Sequence, residues 1–104
     1  MTRHRIPNRR ASQIVEVEFR GKIHTVNYHM DAAGLIREVF IRHPKLSSDA
    51  EDDARDVAVI LSLALQYGAP VDVISGALTR DDEGKPVGIG GAVLDALIAD
   101  GAAA

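Results

Sequence analysis

The chain contains no cysteine and no tryptophan, and only four aromatic residues in 104: Phe19, Phe40, Tyr28 and Tyr67. The lack of cysteine excludes disulfides, thiol nucleophiles and thiolate metal sites. It suits a reducing compartment. The scarcity of aromatics means that aliphatic side chains must build the core. An excess of positive charge is also missing, since the net charge is −3 at pH 7. The chain as a whole therefore does not advertise nucleic-acid binding. No apolar run is long enough to span a membrane. The opening residues are basic but lack the apolar stretch of a signal peptide, so a soluble cytoplasmic protein is expected. The length suits one domain with a modest core.

The charge that is present is unevenly placed. Arg3, Arg5, Arg9 and Arg10 crowd the start, and acids crowd Asp49 to Asp56. Residues 1–11 read as a flexible basic arm, 12–100 as a single domain and 101–104 as a tail. The arm is either a phosphate- or acid-binding element or a solvated terminus.

Ile14 to Phe19 alternates with period two, placing Val15, Val17 and Phe19 opposite Glu16 and Glu18. This pattern predicts a half-buried strand. Arg20-Gly21 is a short turn, and Lys22 to Tyr28 is the returning strand, rich in β-branched residues. Asp31 to Gly34 turns again, and Leu35 to Ile41 is a third strand that Pro44 ends. Short turns between consecutive strands predict an antiparallel meander with two open edges.

The stretch from Asp49 to Gly68 organises the rest. Ser47, Ser48 and Asp49 offer capping oxygens, and Glu51, Asp52 and Asp53 suit the positive end of a helix dipole. Ala54, Val57, Leu61, Ala64 and Leu65 recur at helical spacing. From Val57 to Leu65 only Ser62 is polar, which predicts a helix buried on several sides. Gly68 suits the C′ position, and Pro70 suits the first turn of a second helix carrying Val71, Ile74, Ala77 and Leu78. Thr79 to Gly91 reads as a polar loop, and Ala92 to Ala99 as a last short helix. The fold class is therefore α+β: a three-stranded antiparallel β-meander followed by three α-helices, with the central helix packed on the sheet.

No residue set specifies a reaction, and none calls for a cofactor. His24 and His29 differ by an odd number of positions, so a regular strand points them to opposite faces. No compact ligand set for a metal stands out. No serine lies in a nucleophile elbow. Asp52, Asp53 and Asp56 could be paired carboxylates for acid–base work, and charge at a helix N-terminus is the competing reading. The run from Gly84 through Lys85 to Gly88, Gly90 and Gly91 precedes a helix, so its backbone N–H groups could cradle a phosphate with Lys85 as counter-charge. It matches neither a Walker A loop nor a dinucleotide fingerprint, and a flexible connector is the competing reading.

Glu38-Val-Phe-Ile41, then Ile60-Leu-Ser-Leu-Ala-Leu-Gln-Tyr-Gly-Ala-Pro70, then Val73-Ile74, resembles the TSCPD domain. That domain occurs near the C-terminus of vitamin-B12-dependent (class II) ribonucleotide reductases and in small stand-alone bacterial and phage proteins. Arg5-Ile-Pro-Asn-Arg-Arg-Ala-Ser12 and Pro86-Val-Gly-Ile-Gly-Gly-Ala-Val-Leu-Asp-Ala-Leu97 look most like the stand-alone group. The resemblance covers roughly Arg5 to Leu97. The family's Thr-Ser-Cys-Pro-Asp run is replaced here by Val87-Gly-Ile-Gly-Gly91. No catalytic residue carries over, and a reductase needs cysteines that this chain lacks.

The resemblance implies a non-catalytic accessory or regulatory module related to ribonucleotide reductase and deoxynucleotide supply. Its partners would be a reductase or a nucleotide. A second function class is a small nucleic-acid-binding module using Arg3, Arg5, Arg9 and Arg10, with Lys22 as a possible addition. Finally, the small core and the broad apolar surface of the central helix predict a homodimer. Its interface would be a strand edge or the helical hairpin around Leu63, Tyr67 and Ile74.

Overall fold

The computed structural model describes residues 11–45 and 47–101. Three strands, β1 (Ala11–Phe19), β2 (Lys22–Met30) and β3 (Ile36–Arg42), precede three helices, α1 (Asp49–Gln66), α2 (Val71–Ala77) and α3 (Ile89–Ala99). The strands form one antiparallel sheet in the order β1-β2-β3. The expected α+β meander is what the chain builds.

Arg20 and Gly21 both take positive φ, 52° and 74°. The two-residue turn they form sets Phe19 opposite Lys22 and fixes the register of the first hairpin. The second turn is held by Asp31, whose carboxylate accepts the backbone N–H groups of Ala33 and Leu35. Gly34 supplies its left-handed residue, with φ at 83°. The third strand begins one residue later than Leu35 and continues through Arg42.

Val17, Val26, Tyr28, Val39 and Ile41 point to the covered face of the sheet. They meet Leu61 and Leu65 of α1 and Val93, Leu94 and Leu97 of α3 in one core. Each fully buried aliphatic side chain contributes about 1.5–3 kcal/mol. Helix α1 packs mainly on β3, while α3 packs against β1, α1 and α2.

Of the three candidate caps for α1, Ser48 is the one used. Its Oγ accepts the N–H of Glu51 at 3.1 Å and donates to the carbonyl of Lys45 at 2.8 Å. At the other end Gly68 takes φ 98°, and the N–H of Ala69 reaches back to the carbonyl of Ala64 at 3.0 Å. Pro70 is the N-cap of α2 and lies just outside its first turn.

Three expectations need correction. Helix α1 is buried along one face only, through Ala54, Ala58, Leu61 and Leu65, and Val59, Ile60 and Leu63 stand in solvent. The sheet and α3 cover a single side of it, because α3 packs beside α1 and leaves its far side open. Second, α3 starts at Ile89 rather than Ala92. A Cβ on Gly91 would come within 2.8 Å of Pro86 Cβ, and one on Gly90 within 3.2 Å of Val57 Cγ1. The glycines thus permit a close approach that continues the helix through them. Third, the edge of β3 is not open at Val39. Ser62 Oγ accepts the Val39 N–H at 2.9 Å and donates to the Val39 carbonyl at 3.0 Å.

Candidate ligand-binding groove

Because α1 runs along the outer margin of β3, its flank and the uncovered face of the sheet form two walls of a groove. The cavity is about 720 Å³, a size suited to a small ligand. Alternation brings Thr25 and Asn27 of β2, and Glu38, Phe40 and Arg42 of β3, to the sheet wall. Helical spacing brings Glu51, Arg55, Val59, Ser62 and Gln66 to the other wall.

Two sets of contacts fix the angle between the walls. Ser62 joins α1 to the backbone of Val39, as described. Arg37 reaches from β3 to the end of α1, where Nη1 donates to the Leu65 carbonyl at 2.8 Å. Its Nε donates to Asp31 Oδ2 at 2.9 Å. Helix α1 has no basic residue in its last turn. Arg37 therefore supplies from the sheet the cation that the negative end of the helix dipole favours. Burial pushes the Asp31 carboxyl up. The Arg37 guanidinium and the Leu35 and Ala33 N–H groups outweigh it and hold the carboxyl below the usual carboxylate range.

The polar chemistry of the groove is unevenly satisfied. Glu51 is buried and accepts from Arg55 Nη2 at 2.8 Å, one helical turn away. Asn27 Oδ1 is buried with no hydrogen-bond partner among the described residues. An orphan acceptor of this kind costs about 1–3 kcal/mol, so a donor that reaches it is rewarded. Phe40 pairs with Asn27 across the strands and leaves about half of its surface in solvent. An aromatic face, two arginines and an asparagine whose buried oxygen has no partner among the described residues thus belong to one cavity.

Of the residues singled out from the sequence, Lys85, Gly88, Gly90 and Gly91 do not line the groove. Arg3, Arg5, Arg9 and Arg10 are outside the described residues. Lys85 is exposed, 3.6 Å from Glu83, in a turn closed by Asp81. Gly88 is the N-cap of α3, and Gly90 and Gly91 are buried in its first turn. Close packing is a sufficient reason for glycine at those last two positions. His24 and His29 do face opposite sides of the sheet. His24 meets His43 edge-on at 4.9 Å between ring centroids, and His29 meets Phe40 at 5.6 Å. Among the described residues no group of three histidine or acidic side chains could hold a metal ion. No helix among them is long and apolar enough to cross a membrane.

The region after α1 is tied by a second network. Arg80 donates through Nη1 and Nη2 to both Asp95 oxygens at 2.8 Å, and Ser75 Oγ donates to Asp95 Oδ1 at 2.6 Å. The Arg80 guanidinium holds the Asp95 carboxyl down; burial opposes it and Ser75 adds to it. This network locks α2, the loop and α3 together, and Glu51, Arg55 and Asn27 stand apart from it.

The family model for the TSCPD domain matches residues 3–100. The chain belongs to the TSCPD-domain family. The match takes in all three strands and all three helices, so this TSCPD chain is essentially one family domain. Neither curated proteins nor solved structures gave a match to it. Within the matched residues, the run from Leu61 to Pro70 forms the second half of α1 and its turn into α2. In this TSCPD domain that run positions Ser62, Leu63 and Gln66 on the groove wall. Asn27 and Arg42 carried no signal of their own in the sequence. The available clue was that Phe40, one of only four aromatics, falls on the outward parity of its strand.

Proposed function

We propose that the chain is a non-catalytic accessory or regulatory module tied to ribonucleotide reductase and deoxynucleotide supply, and that it takes a nucleotide in the groove between α1 and the sheet. Family membership supports the tie to the reductase by association. The groove supports the ligand class by its chemistry. The observation that carries the reading is the orphan acceptor Asn27 Oδ1 in a cavity that also holds Phe40, Arg42 and Arg55.

A nucleobase offers N–H donors for the Asn27 oxygen and a flat face for the Phe40 ring. Stacking of a base on an aromatic side chain contributes about 1–3 kcal/mol. The phosphates would lie toward Arg42 and Arg55, whose guanidinium groups match phosphate oxygens in pairs. The oxygen is out of reach of bulk water, so the base must displace neighbouring side chains as it enters. That requirement favours a rigid planar group over a flexible chain. A role in deoxynucleotide supply would put the module in the cytoplasm.

The test is a thermal-shift panel of ribo- and deoxyribonucleotides on the wild type and on Asn27→Leu and Phe40→Ala, with a pull-down from the native host. A nucleotide should raise the melting temperature of the wild type and raise it less in both variants. The reading is lost if no nucleotide shifts the wild type and the pull-down recovers no reductase or nucleotide-metabolism protein.

A further inference from the structure

The solvent face of α1 is divided into two halves. Asp49, Asp52, Asp53 and Asp56 occupy its first half. Val59, Ile60, Leu63 and Tyr67 occupy its second half and are 53%, 66%, 40% and 45% exposed. Helical geometry places 60, 63 and 67 on one ridge, with Val59 beside it. These four side chains leave an apolar patch on the order of a few hundred Å² in water. A standard protein interface removes about 800 Å² per partner, a little over half of it apolar. The ridge therefore supplies a large part of the apolar area that one side of a stable dimer needs.

From this we infer that the ridge is a two-fold interface in which α1 of one copy packs antiparallel on α1 of a second, with Leu63 near the axis. A two-fold makes one patch serve both partners, so the ridge needs no other complement. The charge pattern sets the direction. Eleven residues separate Asp52 from Leu63, about 16 Å along the helix at 1.5 Å per residue. Antiparallel packing about Leu63 thus keeps the two Asp52 side chains about 30 Å apart and the nearest acids, the two Asp56 side chains, about 20 Å apart, beyond the Debye length of about 8 Å at physiological salt. Parallel packing would set four acids against four at the 8–10 Å spacing of packed helices. The hairpin expected from the sequence is corrected in one respect: Ile74 is partly buried against the core, and Ile60 is the exposed member. The inference does not rest on nucleotide binding, and its test is run without nucleotide.

Light scattering at tens of micromolar should give twice the 11.1 kDa chain mass. Ile60→Glu, which changes a side chain outside the groove and the core, should halve that mass and leave the circular dichroism spectrum unchanged. The chain has no cysteine of its own, so single cysteines report proximity cleanly. Leu63→Cys should form a disulfide-linked dimer on mild oxidation, and Asp52→Cys and Ile23→Cys should not. A monomer mass for the wild type overturns the inference. So does a dimer that survives Ile60→Glu. Cross-linking through Asp52→Cys overturns the antiparallel order, and cross-linking through Ile23→Cys moves the interface to the open sheet face.

Discussion

Replacing Ser62 with alanine removes both hydrogen bonds between α1 and the edge of β3. In the wild type, Ser62 Oγ lies 2.9 Å from the Val39 nitrogen and 3.0 Å from the Val39 oxygen. Each bond contributes about 0.5–1.5 kcal/mol net, and a buried N–H left without a partner costs about 1–3 kcal/mol. Val39 is fully buried, but Ser62 borders the groove, so water can reach part of the vacated position. Alanine gains a little in helix propensity, a few tenths of a kcal/mol. The expected net loss is about 2 kcal/mol. For a domain of this size that corresponds to roughly 8–15 °C in melting temperature. Urea unfolding should show a lower midpoint with an unchanged slope, because the surface exposed on unfolding stays the same. Native-state hydrogen exchange should show the Val39 amide losing protection, with the β2 amides changing only as global stability changes. Ser62→Thr keeps the hydroxyl and should recover most of the loss. A Ser62→Ala midpoint within experimental error of the wild type would refute the argument that this serine closes the edge.

Other outcomes follow from contacts on the far side of the sheet and around α3. Burial, then the 2.6 Å hydrogen bond to Asp100 and its charge, push the Tyr28 hydroxyl up to about 12. Tyr28→Phe should cost about 1–2 kcal/mol at neutral pH. A raised folded value means that the Tyr28 contribution is complete below its unfolded value of about 10 and lost as pH rises through about 12. The gap between wild type and Tyr28→Phe should therefore narrow across that window, and a constant gap from pH 9 to 12 would contradict it. Asp95 is depressed mainly by Arg80, so its contribution is present above the ordinary aspartate value and lost as pH falls through the lower folded value. Acid unfolding of Asp95→Asn should lack that step. Gly76 has open space where a Cβ would go and no positive φ, so Gly76→Ala should stabilise by about 0.5–1 kcal/mol. Gly91→Ala would push a carbon to 2.8 Å from Pro86 Cβ and should destabilise by about 1–3 kcal/mol, as thermal melts would show.

The strands, their order and the span of α1 were legible because each rests on local chemistry. Alternation placed Val15 to Phe19, the Arg20-Gly21 turn fixed the hairpin, and Ser48 and Gly68 marked the ends of α1. Elements whose limits depend on distant packing were less legible. Glycines at 90 and 91 read as the end of a polar loop, and only the approach of Val57, Leu78 and Pro86 shows why the helix runs through them. Ser62 looked like a lone polar interruption in an apolar run, and its role depends on where Val39 lies in space. The apolar circumference of α1 overstated its burial, since periodicity tells which residues share a face but not how many faces the rest of the chain covers. The groove was the least visible feature. Its walls come from residues between 25 and 66 on three elements, and no spacing within any one of them announces a cavity.

The position of α1 beside β3 also bears on how the sheet can grow. A sheet with two free margins is bifunctional in the sense of polymer chemistry, since each added molecule exposes a new growing end. Here one margin is already taken by the molecule's own helix at Ser62. Through strand pairing alone the protein is then monofunctional. Two copies joined through β1 would present only helix-covered margins outward, and propagation would stop at that step. The helix beside β3, tied to its edge through Ser62, thus separates a self-limiting pair from an open-ended fibre.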